Sequence, residues 1–98
     1  MDNYTNYPSR MICVNIRMEE TGANIKQLVR ARGYSVEDMM EITGVTTPQA
    51  VYKWYSGKSI PSIEVLIALS KALGVSIRRL IITDEDVEQH RECLFSKG

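Results

Sequence analysis

The chain has 98 residues, 44% of them hydrophobic and 24% charged, which is enough for one small domain with its own core and too little for two. Twelve basic and twelve acidic side chains cancel to a formal net charge of 0, which excludes the uniformly basic character that many nucleic-acid binders show. Cys13 and Cys93 lie near opposite ends without metal-type spacing, and no signal peptide or long apolar run is visible, so free thiols in a reducing cytoplasm are expected.

The charge is unevenly placed. Residues 1–83 hold ten Lys or Arg against seven Asp or Glu, a surplus of +3, while residues 84–98 hold two against five, a surplus of −3. The basic excess therefore belongs to the part that folds, and an acidic end cancels it. Residues 1–10, MDNYTNYPSR, are polar and turn-rich, with Tyr4 and Tyr7 the bulky groups, and are expected to be mobile. From Met11 onward Ile12, Val14, Ile16 and Met18 alternate with Cys13, Asn15 and Arg17, the period of a half-buried strand. A lone strand is not stable by itself. This segment is expected to lie along the helices as an extended arm, with pairing to the same segment of a second copy as the alternative.

The first helix is predicted from about Glu19 to Arg32, with Thr21 or Gly22, Ile25, Leu28 and Val29 as its inner stripe. Glu19 and Glu20 at its start and Arg30 and Arg32 at its end match the helix dipole, and Gly33 stops it. Lys26 and Arg30 form an i,i+4 pair on the outer surface, most simply a solvated face, with Lys26 also within reach of a phosphate. Ser35 with Asp38 opens a second, short helix that Gly44 closes. After a tight turn, Thr47 is the next N-cap and Pro48 the first helical residue, so a third helix runs from about Pro48 to Ser56 and ends at Gly57. On a 3.6-residue period Val51, Trp54 and Tyr55 face one way, and Gln49, Tyr52, Lys53 and Ser56 the other.

Gly57-Lys58-Ser59 is a loop, Pro61 breaks the chain, and Ser62 caps a fourth helix from Ile63 to Leu73 whose only charges are Glu64 and Lys71. Such an apolar helix reads as the central post of a small bundle. Ser76 caps a fifth helix with Ile77, Leu80 and Ile81 turned inward. Arg78 and Arg79 stand in its first turn, where positive charge opposes the dipole, and pairing with the acidic end of the chain is the simplest account of them. Thr83 with Asp84, Glu85 and Asp86 has the form of a cap and first turn, and Val87, Arg91 and Leu94 give a weak stripe for a short sixth helix.

Two short helices joined by a turn, the second presenting Gln49 and Lys53, form the arrangement that lays a recognition helix in a DNA major groove. The run GVTTPQAVYKWYSGKSIPSIEVLIALSKALGVSIRRL, with its Val51-x-x-Trp54-x-x-Gly57-Lys58-x-x-Pro61 string, resembles the phage repressor and Cro type of helix-turn-helix domain, the XRE family. With the first helix the likeness covers residues 18–82. The resemblance implies an all-α fold, a five-helix lambda-repressor-like bundle, here with an extended N-terminal arm (1–17), a helix-turn-helix domain (18–82) and an acidic C-terminal segment (83–98). Three positions depart from the family pattern. The stretch from Gly44 to Val51 is one residue longer, Met40 stands where a small Ala is usual and should fill space between the second and third helices, and Val36 replaces a frequent Gln at the start of the second helix.

The resemblance also implies roles. Helix N-termini place side chains deepest in the groove, so Gln49 is the leading base reader, suited to adenine N6 and N7. Lys53, one turn on, and Tyr52 on the same face are the other base-contact candidates. Thr46, Thr47, Ser56 and Lys58 are phosphate candidates, which fix register without reading sequence. Each has a simpler reading as a cap or a solvated surface group, and Trp54 reads as core. No catalytic set is visible, so the chain is not expected to be an enzyme. His90 at i,i+3 to Cys93 does not complete a tetrahedral zinc site, and neither metal nor cofactor is expected. The leading expectation is a sequence-specific DNA-binding transcriptional regulator, of repressor type, acting as a homodimer on double-stranded DNA. The alternative is a protein-interaction module of the same fold, such as an antitoxin or anti-repressor, which the neutral net charge favours.

Overall fold

Capping signals in the sequence set most of the helix ends. The computed structural model describes residues 15–86. Five helices follow one another there: α1 (Met18–Ala31), α2 (Val36–Thr43), α3 (Pro48–Ser56), α4 (Ile63–Leu73) and α5 (Ile77–Leu80). No strand runs among the described residues, so the all-α expectation holds. Ser35 Oγ accepts the Asp38 N–H at 3.1 Å while Asp38 Oδ2 accepts the Ser35 N–H at 2.9 Å, a reciprocal cap that satisfies two donors at the start of α2. Ser62 and Ser76 cap α4 and α5 with a single bond each, accepting from Val65 N–H and Arg79 N–H, both at 3.3 Å. Thr47 has the extended N-cap backbone, but its side chain makes no cap hydrogen bond. Pro48, with its fixed φ, is left to start α3.

The core is built from Ile25 and Val29 of α1, Met39 of α2, Val51 and Trp54 of α3, four residues of α4, and Leu80 of α5. Supplying Val65, Leu66, Leu69 and Leu73, α4 is the expected post, yet it is not covered on every side: Ile63 is 70% exposed and Ile67, one turn on, is 42% exposed. In α2 the fully buried methionine is Met39. Met40 is partly buried and packs against the edge of the core.

The alternating segment is not a strand through Met18, because Met18 is the first residue of α1. Ile16 instead makes one antiparallel bridge to Thr83, flanked by Arg17 N–H to Ile82 O at 2.8 Å and Asp84 N–H to Asn15 O at 3.0 Å. Residues 15–17 thus lie along the segment that follows α5 in their own chain. The stretches 1–14 and 87–98, with Tyr4, Tyr7, Ile12, Val14, both cysteines, His90 and the stripe of Val87, Arg91 and Leu94, lie outside the described residues.

Thr21 locks this junction from inside. It is 1% exposed, its Oγ1 accepts the Ile82 N–H at 2.9 Å and donates to Ile82 O at 3.3 Å, so a buried hydroxyl has both partners it needs. Nearby, Asn24 Nδ2 donates to Arg79 O at 2.8 Å and Leu80 O at 3.0 Å, taking up carbonyls at the end of α5. Ion pairs fasten the outside: Arg17 bridges Glu20 at 2.9 Å and Asp84 at 3.3 Å, and Arg78 meets Asp86 at 3.1 Å. Asp84–Asp86 are helical, and Asp86 Oδ2 accepts the Thr83 N–H at 2.9 Å, as expected of a cap at Thr83. That bond, ahead of the Arg78 guanidinium, holds the Asp86 carboxyl below its ordinary value, and the hydrogen bond from Arg17 does the same for Glu20.

How α3 is seated depends on two glycines. A Cβ on Gly22 of α1 would overlap the carbonyl oxygen of Trp54 and stand 2.6 Å from that of Tyr55. Gly57, which ends α3 at φ +80°, would place a Cβ 2.7 Å from Glu19 Cα and 2.8 Å from Glu19 N. The start of α1 and the end of α3 therefore meet backbone to backbone.

Three outcomes are expected. Met39→Ala should cost about 2–5 kcal/mol in a melt, and Met40→Ala clearly less; equal losses would put both side chains in the core. Gly57 and Gly44 share φ near +80°, but only Gly57 faces a wall, since nothing lies within 4 Å of a Cβ on Gly44. Asparagine tolerates this backbone region, so Gly57→Asn should cost about 1–3 kcal/mol and Gly44→Asn under about 1 kcal/mol. Matching losses would show that backbone strain, and not the close approach, makes Gly57 necessary. Lowered carboxylate pKa values contribute stability that is present above the ordinary range and lost as pH falls through the lowered folded values. The melting temperature should therefore fall on the acid side, below about pH 4, and Asp86→Asn should flatten that fall.

Candidate nucleic-acid interface

The third helix has one face held and one face open. Val51, fully buried, and Trp54, 6% exposed, anchor it against the core, while Tyr55 is half-buried at the edge. On the opposite side Gln49, Lys53 and Ser56 are exposed and Tyr52 is 56% exposed. The inward and outward sets are those the helical period gives, with Tyr55 between them.

Gln49, Tyr52, Lys53, Ser56 and Lys58 line one shallow depression. It offers an amide, a phenol, a hydroxyl and two ammonium groups. The Ser56 hydroxyl donates to Lys53 O at 3.2 Å, within its own helix, and keeps its oxygen as an acceptor. Thr46 and Thr47 are exposed just ahead of α3 and are not part of that depression. Because the Thr47 hydroxyl is not turned onto the helix, the first N–H groups of α3 have no side-chain acceptor there.

A second concavity, of about 470 Å³, lies beside the first between α1, the start of α2 and the end of α3. Lys26 and Arg30 form one wall, Tyr52, Tyr55 and Ser56 the other, and Tyr34 to Val36 close the end. Tyr52 and Ser56 border both concavities. The Tyr34 hydroxyl donates to Ala72 O at 3.3 Å, which ties that end of the cleft to α4. Burial pushes the Tyr55 hydroxyl above its ordinary pKa, although the nearby Arg30 charge pulls the other way, so the group remains an O–H donor at neutral pH. Sequence reasoning placed Lys26 and Arg30 on a surface and Tyr55 on the packed side; it did not bring the three together. The available signal was the i,i+4 pair of cations with no acid at i+3 or i+4 of either.

Among the described residues no group of three or more His, Cys, Asp or Glu side chains is placed to hold a metal, and no helix is long and apolar enough to cross a membrane.

The helix-turn-helix family model HTH_3 matches residues 25–80, from the middle of α1 to the end of α5. A solved structure of the restriction-modification controller protein C.AhdI from Aeromonas hydrophila is similar at 24% identity, with a TM-score of 0.57, covering 64% of this chain and 94% of that one. A search of curated proteins finds no match. The likeness to C.AhdI is one of fold, and the family match carries the assignment: the chain belongs to the XRE type of helix-turn-helix family, the DNA-binding transcriptional regulators.

Proposed function

We propose that the protein is a sequence-specific repressor-type regulator that inserts α3 into the DNA major groove. The observation that carries this reading is the depression in which Gln49, Tyr52, Lys53, Ser56 and Lys58 converge on the open face of a helix anchored by Val51 and Trp54. In this reading Gln49, nearest the N-terminus of α3, reads a base edge, Lys53 and Tyr52 read beside it, and Thr46, Thr47, Ser56 and Lys58 meet phosphates and set the register. The protein then works in the cytoplasm, where its operator is.

The formal charge of 0 does not oppose this. Asp84 and Asp86 are paired with Arg17 and Arg78, while Lys26, Arg30, Lys53 and Lys58 make no ion pair among the described residues. The field over α3 is therefore basic even though the chain is neutral. A homodimer belongs to the proposal, because one unit of this size makes few contacts and two-fold operators pair half-sites one helical turn apart. Ile63 and Ile67, exposed one turn apart on α4, are the apolar surface that supports it.

Gln49→Ala is expected to cost about 1–3 kcal/mol on a duplex selected from a random pool and to relax preference at one base pair. Equal weakening on selected and random duplexes would remove the base-reading role. A protein-interaction module, by contrast, would show no steep dependence of duplex affinity on salt.

A further inference from the structure

We infer that the cleft between α1 and α3 is a seat for the DNA backbone, with Lys26 and Arg30 as its phosphate contacts. The inference rests on the proposed docking of α3 and adds to it a set of residues outside the helix-turn-helix pair. Lys26 and Arg30 stand one turn apart on α1, where like charges repel, and among the described residues neither has an ion-pair partner. No carboxylate lines the cleft. Two cations gathered in a concavity without an acid leave an anion as the complementary occupant.

Position decides which anion. Tyr52 and Ser56 border both this cleft and the depression on the open face of α3, so the two concavities are continuous. A duplex whose major groove receives Gln49 and Lys53 carries one of its flanking strands along the side of α3, over the cleft. The half-buried Tyr55 supplies a phenol that burial keeps protonated, a donor toward phosphate oxygen. The Tyr34 hydroxyl is already engaged with Ala72 O, so its part is to hold the end wall. Backbone neutralisation by α1 fixes how α3 lies in the groove and carries no base information.

The test is the salt dependence of binding to one selected duplex. Each phosphate neutralised on B-DNA contributes a slope of about −0.9 in log K against log salt. The double variant Lys26→Gln with Arg30→Gln should therefore lose about 1.8 of the wild-type slope while keeping the ratio of selected to random affinity. Arg79→Gln, on α5 and outside the cleft, should keep the full slope. Replacing single phosphates of the duplex by neutral methylphosphonates should weaken the wild type at flanking positions to which the double variant is insensitive; this comparison uses the native protein first and does not depend on a variant's stability. An unchanged slope in the double variant, with selectivity intact, would overturn the inference and leave the major-groove reading standing. Absence of salt-dependent duplex binding by the wild type would overturn both. If inorganic phosphate displaced the duplex better than chloride at equal ionic strength, the cleft would be a free-anion site and not a backbone seat.

Discussion

The backbone contact between the start of α1 and the end of α3 is the constraint on which the open face of α3 depends. Gly22 lies against the carbonyl oxygens of Trp54 and Tyr55, and Gly57 against the backbone of Glu19. These carbonyls belong to the last turn of α3, where that of Trp54 also accepts the Gly57 N–H at 3.1 Å, and both glycines allow an approach that a side chain would prevent. A contact between two backbones has no rotamer with which to adapt. The height and direction of α3 relative to α1 are therefore set by main-chain geometry, and Val51 and Trp54 fill the remaining space from the core side. Every outward residue of α3 inherits its position from that seat.

The same stretch of α1 also gathers the two ends of the described chain. Arg17 and Thr21 hold Ile82 by main chain and hydroxyl, and Arg17 reaches Asp84. Thr21 and Gly22 are adjacent, so one turn of α1 faces the end segment with one residue and α3 with the next. The ion pairs there are at least a third exposed and add little by themselves. The buried, fully bonded Thr21 hydroxyl contributes more to holding the ends, since leaving either of its partners unmade would strand a polar group in the core.

What could be read from the sequence divides along the range of the interaction. Helix ends depend on residues a few positions apart, and the serines at 35, 62 and 76 and the glycines at 44 and 57 were legible as caps for that reason. The faces of α3 were legible because Val51 and Trp54 repeat at helical spacing against polar neighbours. Within α2 the same period could not decide between Met39 and Met40, which stand three and four residues after Val36 and share its side of an eight-residue helix; tertiary packing chose. Nor could it show that both Thr21 and Gly22 are buried, because the reason lies 30 to 60 residues away. The basic cleft was hidden for a related reason: Lys26 and Tyr55 belong to elements that meet only in the fold.

Arg78 shows how a local rule fails when an element is too short to have two separate ends. In a long helix an arginine in the first turn opposes the dipole. Here α5 is four residues long, so its first turn is also its last. Arg78 Nη1 donates to Ile81 O at 2.8 Å, at the carbonyl end, and Nη2 takes both oxygens of Asp86 at 3.1 Å. The guanidinium thus bridges the end of α5 to the turn that begins at Thr83, a use of positive charge that agrees with the dipole. Arg79 makes no such pair among the described residues, although its carbonyl is taken by Asn24. The two adjacent arginines, alike in sequence, are separated by which of them a 3.6-residue turn aims at the acidic segment.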